Sequence, residues 1–323
     1  MSSYCVIGSG ISGATIANLL SKKNSVDLFD KARGPGGRAS FKRLDKIRGF
    51  DHGTQYISPK SAPFKKFIKE LIKKKILKNW SGRHLFLNSK KKEKKNHIKI
   101  IGKKGNNDIS KYLLKDINYN LNSELINIKR VKDFWILTFK DKTKINSKNL
   151  ILTAPLPQTM KLCKRYLKNN LFNDKIQINS NLTVLLTTNK VSNRFSSLFT
   201  NDKDLGWISL ENSKKRFKYF RDLWVLQSTF DFGNKNIDFY KDKKNFYISL
   251  LIKKFKKITG IKFDKIYFKY IHGWKYSSIS KPFKVKSYWN KKIGLGICAD
   301  WFIGPRLENG WQSAHNLHKK IIK

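Results

Sequence analysis

Residues 4–38 run Tyr4-Cys5-Val6-Ile7, then Gly8-Ser9-Gly10-Ile11-Ser12-Gly13, then helix-forming residues to Leu20. Val26-Asp27-Leu28-Phe29-Asp30 follows, and Lys31-Ala32-Arg33-Gly34-Pro35-Gly36-Gly37-Arg38 closes the stretch. Apolar strand, glycine turn, helix, second apolar strand and an acid about 20 residues past the glycines is the order of a dinucleotide-binding βαβ unit. Each position has its own reason. Gly8 permits the tight turn, Gly10 lets the backbone approach a pyrophosphate, and Gly13 lets the helix pack closely on the strand. The N–H groups of Ile11, Ser12 and Gly13 open the helix and, with the positive end of its dipole, suit phosphate oxygens. Asp30, at the end of the second strand, suits a ribose diol.

The next residues narrow the ligand. A plain nicotinamide dehydrogenase has no need of a second glycine pair, Gly36-Gly37, set among Lys31, Arg33 and Arg38. A pyrophosphate that continues into a ribityl chain and a large ring does need further close backbone approach, with cations nearby. The acid followed by Gly-Gly-Arg resembles the flavin amine oxidase superfamily. Phe50-Asp51-His52-Gly53-Thr54-Gln55-Tyr56 resembles its renalase-type branch of NAD/FAD-dependent oxidoreductases. Near the other end, Ile293-Gly294-Leu295-Gly296-Ile297-Cys298-Ala299-Asp300 and Asn309-Gly310-Trp311-Gln312-Ser313-Ala314 resemble its closing flavin motif. Two departures stand out: Ala299 and Ala314 occupy positions where the family commonly has glycine.

The resemblance implies an α/β fold, a Rossmann-like FAD-binding domain with a discontinuous α+β substrate domain built on an antiparallel sheet. The first domain is expected over 1–60, 105–157 and 290–323, and the second over 61–104 and 158–289. It further implies non-covalent FAD, with Gly37 and Arg38 against the pyrophosphate and ring edge and Asp300 on ribityl hydroxyls. His52 and Gly53 would position the flavin. A helix opening at Gly310-Trp311-Gln312 would place positive potential where negative charge develops. Gln55, Tyr56 and Trp274 are the expected substrate-pocket residues, and Trp301 and Trp311 are further candidates for stacking a planar ring. The implied reaction is oxidation of dihydro-NAD(P) isomers, with O2 as acceptor. An amine donor is the alternative within the same cofactor class, although a strongly cationic chain disfavours it.

The chain has 323 residues, 69 Lys+Arg against 22 Asp+Glu, and a net charge of +47. A basic nucleic-acid-binding protein built on a Rossmann core would carry such a charge. Lysine dominates over arginine, however, and bidentate phosphate and base readers favour arginine. We read the charge as compositional, with no specific nucleic acid as partner, although it would steer an anionic dinucleotide inward. At 40% hydrophobic and 13% aromatic, the chain holds enough apolar surface for two cores. Cys5, Cys163 and Cys298 form no metal-binding or paired spacing, which fits a reduced cytoplasmic protein. Only Met1-Ser2-Ser3 precedes the first strand, so no signal peptide is expected, and no apolar run approaches the ~18 residues of a membrane span.

Elsewhere, Phe64, Phe67, Ile68, Leu71, Ile72 and Ile76 recur at helical spacing after Ser61-Ala62-Pro63. Residues 85–87 and 98–101 are expected to form a hairpin around an exposed lysine loop, 90–95. A helix is expected over 108–117, strands over 124–128 and 134–139, and a buried strand at 150–153. Strands at 182–188, 206–210, 223–230 and 263–270, with a helix bearing Phe246, Leu250, Leu251 and Phe255, mark the antiparallel unit.

Overall fold

The computed structural model describes residues 2–87, the backbone of 92–94, and residues 99–167, 177–192, 195–283 and 285–323. Helices α1 (Ile11–Leu20), α2 (Ala62–Lys73), α3 (Asp108–Leu113), α4 (Leu156–Cys163), α5 (Phe230–Asn236), α6 (Lys244–Thr259) and α7 (Leu307–Ile321) pack against two main sheets. The α/β class expected from the sequence is the one observed.

The first sheet is parallel at its centre. Ser2–Ile7 lies between Lys144–Leu152 and Val26–Phe29, with Cys5 opposite Leu150 and Val6 opposite Leu28. Asn118–Asn120 adds a parallel edge that the sequence pattern did not reveal, because all three of its residues are exposed. On the other side, Lys144–Leu152 is shared. Its first half pairs antiparallel with Phe134–Phe139, which in turn pairs antiparallel with Leu125–Val131, and its second half pairs in parallel with Leu295–Ile297. The apolar run at 4–7 is continuous because both faces are covered. Tyr4 and Val6 face the cluster beneath α1, α2 and α7, whereas Cys5 and Ile7 face a second cluster with Trp135, Leu150 and Phe302.

The second sheet is antiparallel over most of its width. Its order is Ile266–Ile279, Ile178–Asn189, Arg221–Ser228, Leu205–Leu210, Ser197–Phe199, His84–Leu87 and Lys92–Lys94. One face carries Leu182, Val184, Leu186, Trp224 and Leu226 against α6. On α6 the buried stripe is Tyr247, Ile248, Leu251 and Phe255, while Phe246 on the same helix is exposed.

Three expectations differ from the structure. Residues 85–87 and 98–101 do not pair as a hairpin. His84–Leu87 joins the second sheet beside Ser197–Phe199, while Ile100–Gly102 pairs with Leu77–Asn79. Both runs carry generic strand patterns, and only long-range register decides their partners. Lys92–Lys94 forms an edge strand rather than a loop tip, and the rest of the 90–95 lysine run lies outside the described residues. The helix α2, expected with the antiparallel unit, buries Phe64, Ile68 and Leu71 in the cluster shared with α1 and α7. No helix among the described residues is long and apolar enough to cross a membrane.

Candidate functional site

The glycine turn is built as its spacing requires. Gly8 sits at φ +107°, and a Cβ there would stand 2.5 Å from Thr153 Oγ1, which itself donates to the Ile7 carbonyl at 2.8 Å. A Cβ on Gly13 would stand 1.8 Å from the Gly8 carbonyl oxygen, so α1 packs on the turn only with glycine there. Gly10 pairs with Gly36 across an isolated bridge, and a Cβ on Gly37 would lie 3.2 Å from the Gly10 Cα. Two bare stretches of backbone therefore meet at the N-terminus of α1, where Ile11, Ser12 and Gly13 carry N–H groups without intrahelical acceptors. Asp30 stands beside this turn and accepts from Ser9 N (2.6 Å), Ser9 Oγ (2.5 Å) and Ala32 N (2.8 Å).

The far end of the chain closes on the same place. Arg38 donates to Asp300 at 2.5 Å and to the Ser277 carbonyl at 3.1 Å. A Cβ on Gly310 would meet Ile11 Cγ2 and Ser12 Oγ at 2.7 Å, so the first turns of α1 and α7 touch. Gly10, Gly37, Arg38, Asp300 and Gly310 thus share one locality, although Gly10 and Asp300 come from opposite ends of the chain.

Other expected residues are placed differently. α7 opens at Leu307, three residues before the expected Gly310, because Arg306 takes the cap position and Glu308 accepts from Lys60 N (2.7 Å) and Ser61 N (2.8 Å). The side chain of Gln312 donates to Ser61 Oγ at 3.1 Å, fastening α7 to the start of α2. Trp311 packs on Phe64, Phe67 and His315, and Trp301 packs on Phe302 and Phe283; both rings are buried core. Lys31 is exposed and faces Glu124 at 3.8 Å. Arg33 carries charge toward the half-buried Tyr270.

The turn at 51–56 is held from many sides. Gly53 lies so close to Arg38 that a Cβ would stand 2.1 Å from its carbonyl oxygen, and Thr54 N donates to that oxygen at 2.8 Å. Gln227 Nε2 donates to the Gly53 carbonyl at 2.8 Å and Trp274 Nε1 to the His52 carbonyl at 2.9 Å. Gln55 donates to the Asp51 and Gly53 carbonyls and accepts from Ser209 Oγ at 2.9 Å. The His52 ring lies 5.0 Å from both His272 and Trp274, and its Nδ1 has no hydrogen-bond partner. Burial, with the His272 and Lys42 charges, pushes the pKa of His52 down to about 3, and burial pushes His272 down to about 4. Both imidazoles are neutral at physiological pH.

Beneath this turn lies a charged group that the sequence reading missed. Asp51 Oδ2 accepts from Lys214 Nζ at 2.7 Å and from Arg216 Nη1 at 2.6 Å, and Lys214 also reaches Glu211 at 2.6 Å. All four side chains are at most 1% exposed. Two anions face two cations, and Asn106 N adds a bond to Asp51 at 2.9 Å. Burial alone would raise the Asp51 carboxyl, but the Arg216 and Lys214 charges together outweigh it and hold it below the usual range. The one local signal was the spacing of Glu211 and Lys214 at i and i+3. The group's role is to hold the 51–55 turn, the 102–107 loop and residues 211–216 as one unit.

The comparisons with known proteins agree with this architecture. Residues 6–71 match the family model described as an NAD(P)-binding Rossmann-like domain. A protein of Exiguobacterium sp. 255-15, proposed to be a protoporphyrinogen oxidase, superposes with a TM-score of 0.76 at 10% identity, over 98% of both chains. An oxidoreductase from Methanosarcina mazei gives a TM-score of 0.71 at 12% identity, over 98% of this chain and 99% of that one. Wild-type putrescine oxidase bound to putrescine gives 0.68 at 9% identity, over 99% of both chains. At these identities the likeness is one of fold, and it extends over nearly the full length of each chain.

Proposed function

We propose that this protein is an FAD-dependent oxidoreductase that oxidises a dihydronicotinamide dinucleotide and uses O2 as acceptor. The observation that carries the reading is the meeting of Gly10, Gly37, Arg38, Asp300 and Gly310 in one locality. The residues present fit the cofactor, because any Cβ at Gly37 would intrude on the bare backbone facing Gly10.

Gly8, Gly10, Ile11, Ser12 and Gly13 would hold the diphosphate through α1 N–H groups and its dipole. Asp30, pinned by Ser9 and Ala32, would accept from the adenosine ribose. Gly37, Arg38 and Asp300 would hold the flavin half, with His52 and Gly53 beside it. The chemistry FAD supplies when bound is acceptance of a hydride from the donor, with the two electrons passing on to O2 to give peroxide. Oxidation of a dihydropyridine needs no obligatory proton abstraction, which suits a turn whose histidine is neutral and held by burial. Trp274 and Gln227 fix that turn through main-chain carbonyls. The net charge of +47 favours the approach of an anionic dinucleotide over that of a cationic amine. Attachment to Cys298 is not part of the reading, because burial raises its thiol far above physiological pH.

A second reading, an amine donor, draws on the fold shared with putrescine oxidase. One experiment separates the two. The purified protein is expected to be yellow and to release its flavin on acid denaturation. Under anaerobic rapid mixing, dihydro-NAD(P) isomers reduced at the wrong ring position should bleach it, and putrescine should not. A bleach by putrescine alone would favour the second reading. A colourless protein that binds DNA with steep salt dependence would sink both.

A further inference from the structure

Among the described residues two lysines, Lys99 and Lys214, are at most 2% exposed. Lys214 is held by carboxylates, whereas Lys99 lies against aromatic rings and close enough to His84 for its charge to lower that imidazole's pKa. Its Nζ lies 4.9 Å from the Tyr56 ring centroid and 5.8 Å from that of Phe86. Among the described residues no carboxylate or hydrogen-bond acceptor pairs with it. Burial lowers its pKa. Ring faces compensate a desolvated ammonium only in part, so an isolated one remains costly.

The rings around it form a run. Tyr56 lies 5.7 Å from Trp207, Trp207 lies 5.4 Å from Phe199, and Phe199 stacks on Phe86 at 5.5 Å. The run reaches the surface at Phe199, and the buried Trp207 Nε1 has no hydrogen-bond partner. Register ties this run to the site. His272, Thr183, Gln227, Trp207 and Phe199 are paired in one row across the second sheet, so they share a face. Gln227 in that row bonds the Gly53 carbonyl, and Trp207 sits one strand further along, about 5 Å away by strand spacing. The unpaired cation and unpaired indole therefore border the turn beside the proposed cofactor cradle.

We propose that Lys99 is a specificity-determining residue: it binds an anionic group, carboxylate or phosphate, on a donor whose flat ring lies against Tyr56 and Trp207, and it rejects cationic amines. This rests on the oxidoreductase reading only for calling the bound molecule the donor; the binding preference is measurable without redox chemistry.

The test uses the purified full chain and four one-ring probes: benzoate, phenyl phosphate, neutral benzamide and cationic benzylamine. Binding is followed by tryptophan fluorescence and by calorimetry. The wild type should bind at least one anion tenfold or more tighter than benzamide, and benzylamine weakest of all. Preference for benzoate or for phenyl phosphate identifies the anion. Lys99→Met, which keeps an apolar stem of similar length, should abolish the gap between anion and benzamide, and Lys99→Arg should retain part of it. Circular dichroism and a melting curve establish that each variant folds. Equal anion affinity in wild type and Lys99→Met, or tighter binding of benzylamine than of either anion by the wild type, overturns the proposal. A colourless preparation that still shows the Lys99-dependent preference would defeat the cofactor reading and leave this one standing.

Discussion

Lys214 and Lys99 both expose almost none of their surface, yet their surroundings are opposite. Lys214 touches Asp51 and Glu211 at hydrogen-bond distance and shares Asp51 with Arg216, so its charge is balanced within the fold. Lys99 touches Tyr56 and Phe86 and no anion among the described residues. Burial alone does not say what a charge is for. Where every partner is already present, removing one leaves the others stranded, and the charge reads as structural. Where the partner is missing, the fold carries an unmet demand, and the charge reads as awaiting something from outside.

The sharpest way to break this contrast is to delete each ammonium in turn. Lys214→Met should destabilise the protein by about 3–5 kcal/mol, because Asp51 and Glu211 stay buried with only Arg216 between them. Lys99→Met should be neutral or stabilising by about 1 kcal/mol, since it removes a buried charge that has no partner. Urea unfolding of both variants checks the pair, and similar losses for the two would erase the distinction.

Acid probes the same turn from its other side. His52 and His272 are neutral in the fold, with pKa values near 3 and 4, against about 6.5 when unfolded. The unfolded chain therefore binds protons that the fold refuses. Their contribution is complete above pH 6.5 and is lost as pH falls from 6.5 toward 4 for His272 and toward 3 for His52, on the order of a few kcal/mol in total. Asp51, held below the usual carboxylate range, contributes to acid loss only at lower pH. Unfolding midpoints measured between pH 7 and 4 should fall, and His272→Gln should flatten the slope.

Two smaller effects sharpen the comparison further. Gly37→Val places a branched side chain at φ +53° against Gly10. It should cost flavin occupancy at least tenfold, read from the ratio of visible to protein absorbance, with far less effect on a melting curve than Lys214→Met. Lys31→Ala, at an exposed contact of 3.8 Å with Glu124, should leave melting temperature and flavin content unchanged within error.

What the sequence disclosed and what it withheld follow from distance along the chain. The turn at Gly8–Gly13 and the acid at Asp30 are legible because each depends on neighbours within one βαβ unit. The closing segment at Asp300 is legible because its strand and helix carry their own pattern. Tyr56 and Trp207, or Asp51 and Lys214, meet only through the second sheet, and no local periodicity records that Lys214 stands 163 residues from its partner. The start of α7 was misplaced for a related reason: the Gly310 signal is real, but it reports close approach to Ile11 and Ser12 rather than a helix end. Trp301 and Trp311 look like stacking residues by type, and only the packed structure assigns them to core.

The strand Lys144–Leu152 accepts Leu295–Ile297 along the half that also pairs with Ser2–Ile7. During synthesis that edge stays open until residues 295–297 have emerged, a bare row of main-chain donors and acceptors inviting wrong neighbours. The same segment brings Asp300 and α7, so a copy lacking it would have neither the finished sheet nor the partner of Arg38. Closure of this sheet and the pairing of Asp300 with Arg38 therefore depend on one segment.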